Sequence, residues 1–164
     1  MDHLWSPWRY RYVSSQEPAA DCLFCRISAE SKDKDNYILL RAERNFALLN
    51  RFPYTSGHLM IVPYAHVATL EDSDPAALTE MMSLAQRMEG VLRRVYQAAG
   101  LNLGLNIGKS AGAGIAGHIH MHVLPRWSGD VNFMTTIAET RVLPEDLETS
   151  YARLLNVIAA DSRG

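Results

Sequence analysis

Histidine and apolar residues alternate strictly from His118 to Val123. Successive side chains of a β-strand point to opposite faces, so His118, His120 and His122 are predicted to share one face of a strand. The apolar residues between them then form a face that packs into the core. The pattern therefore predicts a strand with one chemical side and one buried side.

Further apolar runs predict four more strands. Residues 37–40 and 46–49 are separated by a polar turn and indicate a hairpin. Residues 58–62 form a third apolar run that Pro63 is expected to stop. Residues 101–108 alternate with period two, which predicts a strand antiparallel to the histidine strand and brings Asn106 close to the histidines.

The spacing of apolar residues changes to that of a helix in two segments. Between Asp74 and Ala99 they recur at steps of three and four, with Asp74 as the expected N-cap and Gly100 as the expected left-handed stop. A shorter amphipathic segment at 144–159 predicts a C-terminal helix. The elements together indicate an α+β fold with an antiparallel sheet of about five strands, one long helix and one short C-terminal helix.

Size and charge restrict the classes of function. The chain has 164 residues, which suits one domain, and a formal net charge of -2, which argues against binding long nucleic acids through counterion release. It has no apolar segment near the ~20 residues that span a bilayer, so no membrane partner is expected. The first residues lack the pattern of a signal peptide, and we expect a cytoplasmic location.

A glycine-rich segment, Gly108–Gly114, comes shortly before the histidine strand. Backbone amides without bulky side chains can approach an anion closely. Imidazoles beside such a segment favour phosphate chemistry, although a metal-binding histidine cluster and a solvated strand face are alternatives. The chain's two cysteines, Cys22 and Cys25, have the spacing of half a zinc site, of a redox pair or of two incidental buried thiols.

The run from His118 to Leu124 resembles the signature of the histidine triad (HIT) family of nucleotide hydrolases and transferases, and the resemblance extends over residues 22–126. It implies that His120 is the nucleophile that forms a covalent nucleotidyl-histidine. It also implies that His122 contacts a phosphate oxygen and that His118 orients the nucleophile. The remaining residues carried over by the resemblance are His58 as a support of the triad, Asn50 at the ribose and Asn106 at the phosphate.

One departure from the family pattern concerns the loop before the triad. Many members have Gln and Ser four and three residues before the first histidine, where this chain has Gly114 and Ile115. The residues expected to replace those contacts are Ser110, Gly112, Ala113 and Gly114. This loop and the segment from Trp127 to Met134 are similar to the bacterial diadenosine tetraphosphate phosphorylase branch, in which phosphate takes the nucleotidyl group.

The resemblance also implies a structural zinc ion, because some bacterial members bind zinc through a matching set of residues. The set here is Cys22, Cys25, His66 and His118. The ligand types suit tetrahedral zinc.

We therefore expect residues 1–21 to form an N-terminal arm and residues 22–164 to form a HIT domain that assembles as a homodimer. The expected reaction is cleavage of a dinucleoside polyphosphate, such as diadenosine tetraphosphate, with water or phosphate as acceptor. The alternatives are a purine nucleoside phosphoramidase and a zinc-stabilised nucleotide-binding protein with incidental turnover.

Overall fold

The computed structural model describes residues 22–130 and 145–161, so the expected arm at 1–21 lies outside the described residues. The same is true of the last four residues of the Trp127–Met134 segment. The elements are α1 (Leu23–Ala29), β1 (Ile38–Arg41), β2 (Asn45–Leu49), β3 (Leu59–Pro63), α2 (Pro75–Tyr96), β4 (Gly100–Leu105), a 3₁₀ turn (Lys109–Ala111), β5 (Met121–Arg126) and α3 (Leu147–Asp161).

The five strands form one sheet in the order β1-β2-β3-β5-β4, and every neighbouring pair is antiparallel. The α+β prediction is confirmed, including the β1-β2 hairpin and the pairing of β4 with β5. Leu105 pairs with Met121, so Asn106 follows β4 at the level where the triad segment enters β5. Pro63 is the last residue of β3 and pairs with Asn45, so it belongs to the strand that it was expected to stop.

Apolar side chains cover both faces of the sheet. On one face, Met121 and Val123 pack with residues of α2 and α3, among them Met88 and Leu154. On the other face, Phe24 and Ile27 of α1 pack with a second set of strand residues, which are Ile38, Phe46, Leu48, Met60 and Val62. His122 lies opposite Met60 in the β3-β5 ladder, so the histidines share the α1 face of the sheet.

Helix α2 begins as predicted but ends earlier. The Asp74 carboxylate accepts a hydrogen bond from the Ala76 N–H, as an N-cap does. The left-handed residue after the helix is Gln97, with φ 50°, and not Gly100, which is already part of β4. A left-handed backbone conformation costs a non-glycine residue about 1–2 kcal/mol. The Arg93 guanidinium donates to the Ala98 carbonyl in this connection and so stabilises the turn.

Two further elements differ from the sequence prediction. Helix α1 was not predicted; its buried residues, Phe24 and Ile27, are three apart on one turn. Arg41 holds the end of this helix by donating to the Ser28 and Glu30 carbonyls. Helix α3 spans Leu147–Asp161, where 144–159 was predicted. It begins at Leu147 because the Asp146 carboxylate accepts from the Thr149 N–H and so caps the helix. No helix in the described ranges has both the length and the apolar character to cross a membrane.

Candidate active site and metal centre

A cavity of about 550 Å³ lies on the α1 face of the sheet, and His120 and His122 are part of its wall. Its lining includes Arg26, Arg51 and Lys109 but, among the described residues, no Asp or Glu. In a chain with a net charge of -2, the charged residues in this lining are therefore all cations. Such a cavity attracts an anionic ligand.

His120 is buried and has a fixed proton position. Its Nδ1 atom lies 2.9 Å from the His118 carbonyl oxygen, and because a carbonyl only accepts, Nδ1 carries the proton. The Nε2 atom of the neutral ring therefore has a free electron pair. Burial lowers the pKa of His120, so the ring stays unprotonated at neutral pH. An unprotonated imidazole nitrogen of this kind can act as a nucleophile.

A chain of hydrogen bonds gives His122 the opposite proton position. The Tyr54 N–H donates to Nδ1 of His58 at 3.1 Å, so the proton of His58 is on Nε2. That Nε2 lies 2.9 Å from Nδ1 of His122 and donates to it. The remaining nitrogen of His122, Nε2, then carries a proton that can be donated to a ligand.

Burial keeps these two rings neutral. Desolvation, with a smaller effect from neighbouring imidazoles, lowers the pKa of His58 to about 3 and that of His122 to about 4. Neither ring takes up a proton near pH 7. The pair therefore acts as a neutral donor that keeps its proton position across the physiological pH range.

Asn50 lies on the cavity wall directly after β2. Its Oδ1 accepts from the Phe52 N–H at 3.0 Å, which directs its Nδ2 toward Nδ1 of His58, 3.4 Å away. The residue expected at the ribose therefore also contacts the histidine behind His122.

The glycine-rich loop forms part of the cavity wall through Gly112, Ala113 and Gly114. The N–H groups of Gly112 and Ala113 donate to the carbonyls of Lys109 and Gly108 inside the loop. Lys109 adds a cation to the cavity lining. Ser110 and Asn106 are among the described residues but lie outside the cavity lining.

The four predicted metal ligands, Cys22, Cys25, His66 and His118, come together beside the cavity. Their donor atoms all lie within 4.8 Å of one another. The Nδ1 atoms of the two histidines are 3.3 Å apart, and Sγ of Cys25 is 3.3 Å and 3.6 Å from them. A tetrahedral ion with Zn–N and Zn–S bonds of ordinary length has ligand separations of roughly 3.3 to 3.8 Å.

The proton position of His118 also suits a metal ligand. Its Nε2 lies 2.8 Å from the Pro63 carbonyl oxygen and must donate to it, so Nδ1 carries the free electron pair among the thiols. Both cysteines are free thiols. The donor set therefore fits a tetrahedral metal ion.

The metal centre and the cavity are in contact through Phe24 and His118. Phe24 lies between the two cysteines in the chain, and its ring packs against His118 and His120 with centroid distances of 5.4 and 5.1 Å. The His118 carbonyl that orients His120 belongs to a predicted metal ligand. Sequence reasoning did not single out Phe24; its place between the two cysteines was the available signal.

Comparison with known proteins agrees with this geometry. The family model described as HIT domain matches residues 31–129. The chain belongs to the HIT domain family. An AP-4-A phosphorylase of Mycobacterium tuberculosis is 39% identical to it over 155 residues, covering 88% of this chain and 78% of the relative.

Two other similar proteins extend the comparison. The asymmetrical bis(5'-nucleosyl)-tetraphosphatase of Schizosaccharomyces pombe is 29% identical over 93 residues, which are 57% of this chain and 50% of that protein. The crystal structure of a Zn-bound histidine triad family protein from Mycobacterium smegmatis superposes with a TM-score of 0.72 at 32% identity. The match covers 88% of this chain and 98% of that one.

Proposed function

We propose that this protein is an enzyme that transfers a nucleoside monophosphate group from a dinucleoside polyphosphate to His120 and then to phosphate or water. The observation that carries the proposal is the unprotonated Nε2 of His120 on the wall of a cavity that cations line. The names of two relatives, AP-4-A phosphorylase and bis(5'-nucleosyl)-tetraphosphatase, support the substrate class.

In the first step, the electron pair on Nε2 of His120 attacks the α-phosphorus of the bound substrate. An N–P bond forms while the bond from phosphorus to the bridging oxygen breaks, and the leaving nucleotide keeps that oxygen and its electron pair. In the second step, an acceptor oxygen attacks the same phosphorus and the N–P bond breaks. The acceptor loses its proton, and His120 regains its neutral form.

His122, whose ring centroid lies 4.9 Å from that of His120, assists both steps. The protonated Nε2 of His122 donates a hydrogen bond to a phosphate oxygen, and the His58 contact holds that proton position. Lys109 and Arg51 offset the negative charge of the polyphosphate.

The products distinguish the possible acceptors when the protein is incubated with diadenosine tetraphosphate, with and without phosphate. Transfer of AMP to His120 releases ATP, after which phosphate yields ADP and water yields AMP. The identity to the Mycobacterium tuberculosis phosphorylase supports phosphate as acceptor. Cleavage of an adenosine phosphoramidate alone would favour the phosphoramidase alternative, and binding without products would favour the nucleotide-binding alternative.

The covalent step has its own test. With limiting substrate and no phosphate, mass spectrometry should detect a protein adduct of one AMP in the wild type and none in His120→Asn. The variant keeps a polar side chain of similar size but has no ring nitrogen to attack. An unchanged turnover rate in His120→Asn would overturn the assignment of the nucleophile.

We also propose that zinc occupies the metal centre, where it would hold two thiolates and two imidazoles together and so stabilise the fold. The donor geometry and the Zn-bound relative from Mycobacterium smegmatis support this identity. Reduced cysteines in such a site suit a cytoplasmic location. Elemental analysis of the purified protein should find close to one zinc per chain. A protein that contains no zinc even after refolding with zinc would refute the site.

The expected homodimer belongs to the same proposal, with residues 22–164 as its domain. Strand β4 is at the edge of the sheet and exposes 44% of Leu103, with Ile107 exposed by 40% just beyond the strand. An exposed apolar edge is suited to pairing with a second copy. Light scattering should give twice the chain mass, and Leu103→Lys should lower the measured mass. A wild-type protein that is monomeric at every concentration would contradict the dimer.

A further inference from the structure

Tyr96, the last residue of α2, lies against the backbone that leads into His58. A Cβ atom added to Gly57 would lie 2.5 Å from Cε2 of Tyr96 and 3.1 Å from its Cζ. Gly57 has φ +76°, directly before His58, which is fully buried. The aromatic ring is therefore in contact with the peptide chain that carries the histidine behind His122.

Several contacts fix the ring of Tyr96 in this place. Its hydroxyl donates to the Glu145 carboxylate at 2.5 Å, and the Arg153 guanidinium lies over the ring, 5.0 Å from its centroid. The Trp127 indole N–H donates to the Tyr96 carbonyl at 3.0 Å. Trp127 directly follows β5, the strand of His122, so Tyr96 contacts the chain segments that carry both rings of the His58–His122 pair.

We infer that Tyr96 is a positioning residue that keeps Nε2 of His58 within hydrogen-bond distance of Nδ1 of His122. With the ring present, the Gly57–His58 backbone has no room to move back toward α2. Without the ring, His58 can withdraw, and the proton position of His122 is no longer fixed. The inference rests on the proposed function in that a loose pair would slow the transfer step.

The test compares Tyr96→Leu with Tyr96→Phe. Leucine removes the planar ring behind Gly57, while phenylalanine keeps the ring and loses only the hydroxyl bond to Glu145. We expect Tyr96→Leu to lower kcat on the order of 10- to 100-fold with little change in KM, as a misplaced catalytic group does. Tyr96→Phe should retain most of the kcat although it unfolds more easily.

A spectroscopic measurement on the ligand-free protein separates this inference from the proposed function. Ring ¹⁵N chemical shifts report which nitrogen of His122 carries the proton, and they need no turnover. Tyr96→Leu should give averaged shifts for His122, while Tyr96→Phe should match the wild type. Met88→Ala, which removes a buried side chain from the same helix, should lower stability without changing these shifts.

The opposite change provides a second route if Tyr96→Leu does not fold. Gly57→Ala places a methyl group against the ring and should disturb the His122 shifts, and the double variant Gly57→Ala/Tyr96→Leu should recover part of the signal because the space is then open. If the His122 ring shifts of Tyr96→Leu, or those of the single variant Gly57→Ala, equal those of the wild type, the inference is overturned. A wild type that turns over no nucleotide would overturn the proposed function and leave the shift test valid.

Discussion

The Nε2 atom of His58 donates to the Nδ1 atom of His122 across 2.9 Å, and the Tyr54 N–H holds the other nitrogen of His58. This contact gives His122 a proton on Nε2. His120, two residues earlier, has its proton on Nδ1 because it donates to the His118 carbonyl. Adjacent triad histidines are thus held as different tautomers, one with a free electron pair on Nε2 and one with a proton there.

The tautomers are directly measurable. At pH 7, ring ¹⁵N chemical shifts should show His58 and His122 protonated on Nε2 and His120 protonated on Nδ1. The reason is that His58 and His120 contact groups that can only donate or only accept, and the proton position of His58 then determines that of His122. A proton on Nδ1 of His122 would contradict the hydrogen-bond chain from Tyr54.

The buried pair also predicts how stability depends on pH. The pKa values of His58 and His122 are lowered to about 3 and about 4, whereas the unfolded rings titrate near 6.5. Their contribution is complete above about pH 6.5 and is lost as the pH falls toward 4, because only the unfolded chain takes up these protons. The free energy of unfolding should decrease by up to about 1.4 kcal/mol per pH unit for each histidine.

Urea unfolding at several pH values between 7.5 and 5 measures this slope. Ordinary carboxylates titrate below this pH range and so contribute little to it. His58→Gln removes one ring of the buried His58–His122 pair and serves as the control, since the candidate metal ligands remain unchanged. Its slope should be shallower than that of the wild type. Equal slopes would mean that His58 is not held neutral in the native protein.

Local sequence patterns predict the sheet well, and the family resemblance supplies the four candidate metal ligands that the structure brings together. Alternation between 118 and 123 is enough to assign Met121 and Val123 to the core, because a one-residue shift would bury the histidines among apolar helices. The alternation is contained in one short segment. The four candidate ligands are up to 96 residues apart, so only the family resemblance, and no local pattern, could group them.

Features that depend on distant contacts could not be predicted in this way. His58 and His122 are 64 residues apart, and nothing in the sequence indicates which ring donates. Helix α1 has only seven residues, too few for a periodic pattern, and its packing on the sheet and its contacts with Arg41 hold it in place. Gln97 takes the left-handed position although a glycine is available three residues later.

Lys109 should contribute to binding of the polyphosphate. This residue is the cation that the glycine-rich loop contributes to the cavity wall. Lys109→Gln should therefore raise KM for diadenosine tetraphosphate by about tenfold, because a charged hydrogen bond is lost. The kcat should change less. Lys32→Gln, an identical charge change at an exposed residue outside the cavity lining, should leave KM unaltered, and an equal effect of both variants would point to net charge alone.

Metal and nucleotide binding should be coupled, because helix α1 connects them. Cys22 and Cys25 are candidate metal ligands at its start, and Leu23 and Phe24 between them are part of the cavity wall. Loss of the metal frees this end of the helix, so a nucleotide must then order it on binding. AMP should therefore bind metal-depleted protein more weakly, by on the order of five- to tenfold.

Thermodynamic linkage makes the coupling testable from the metal side as well. The factor by which metal strengthens AMP binding must equal the factor by which AMP strengthens metal binding. Calorimetry with AMP gives the first factor, and competition for zinc with a chromophoric chelator, with and without AMP, gives the second. Cys25→Ser should lower both, whereas Ser28→Ala, on the same helix but outside the ligand set and the cavity lining, should preserve them. Equal AMP affinities with and without metal would show that the metal stabilises the fold without shaping the site.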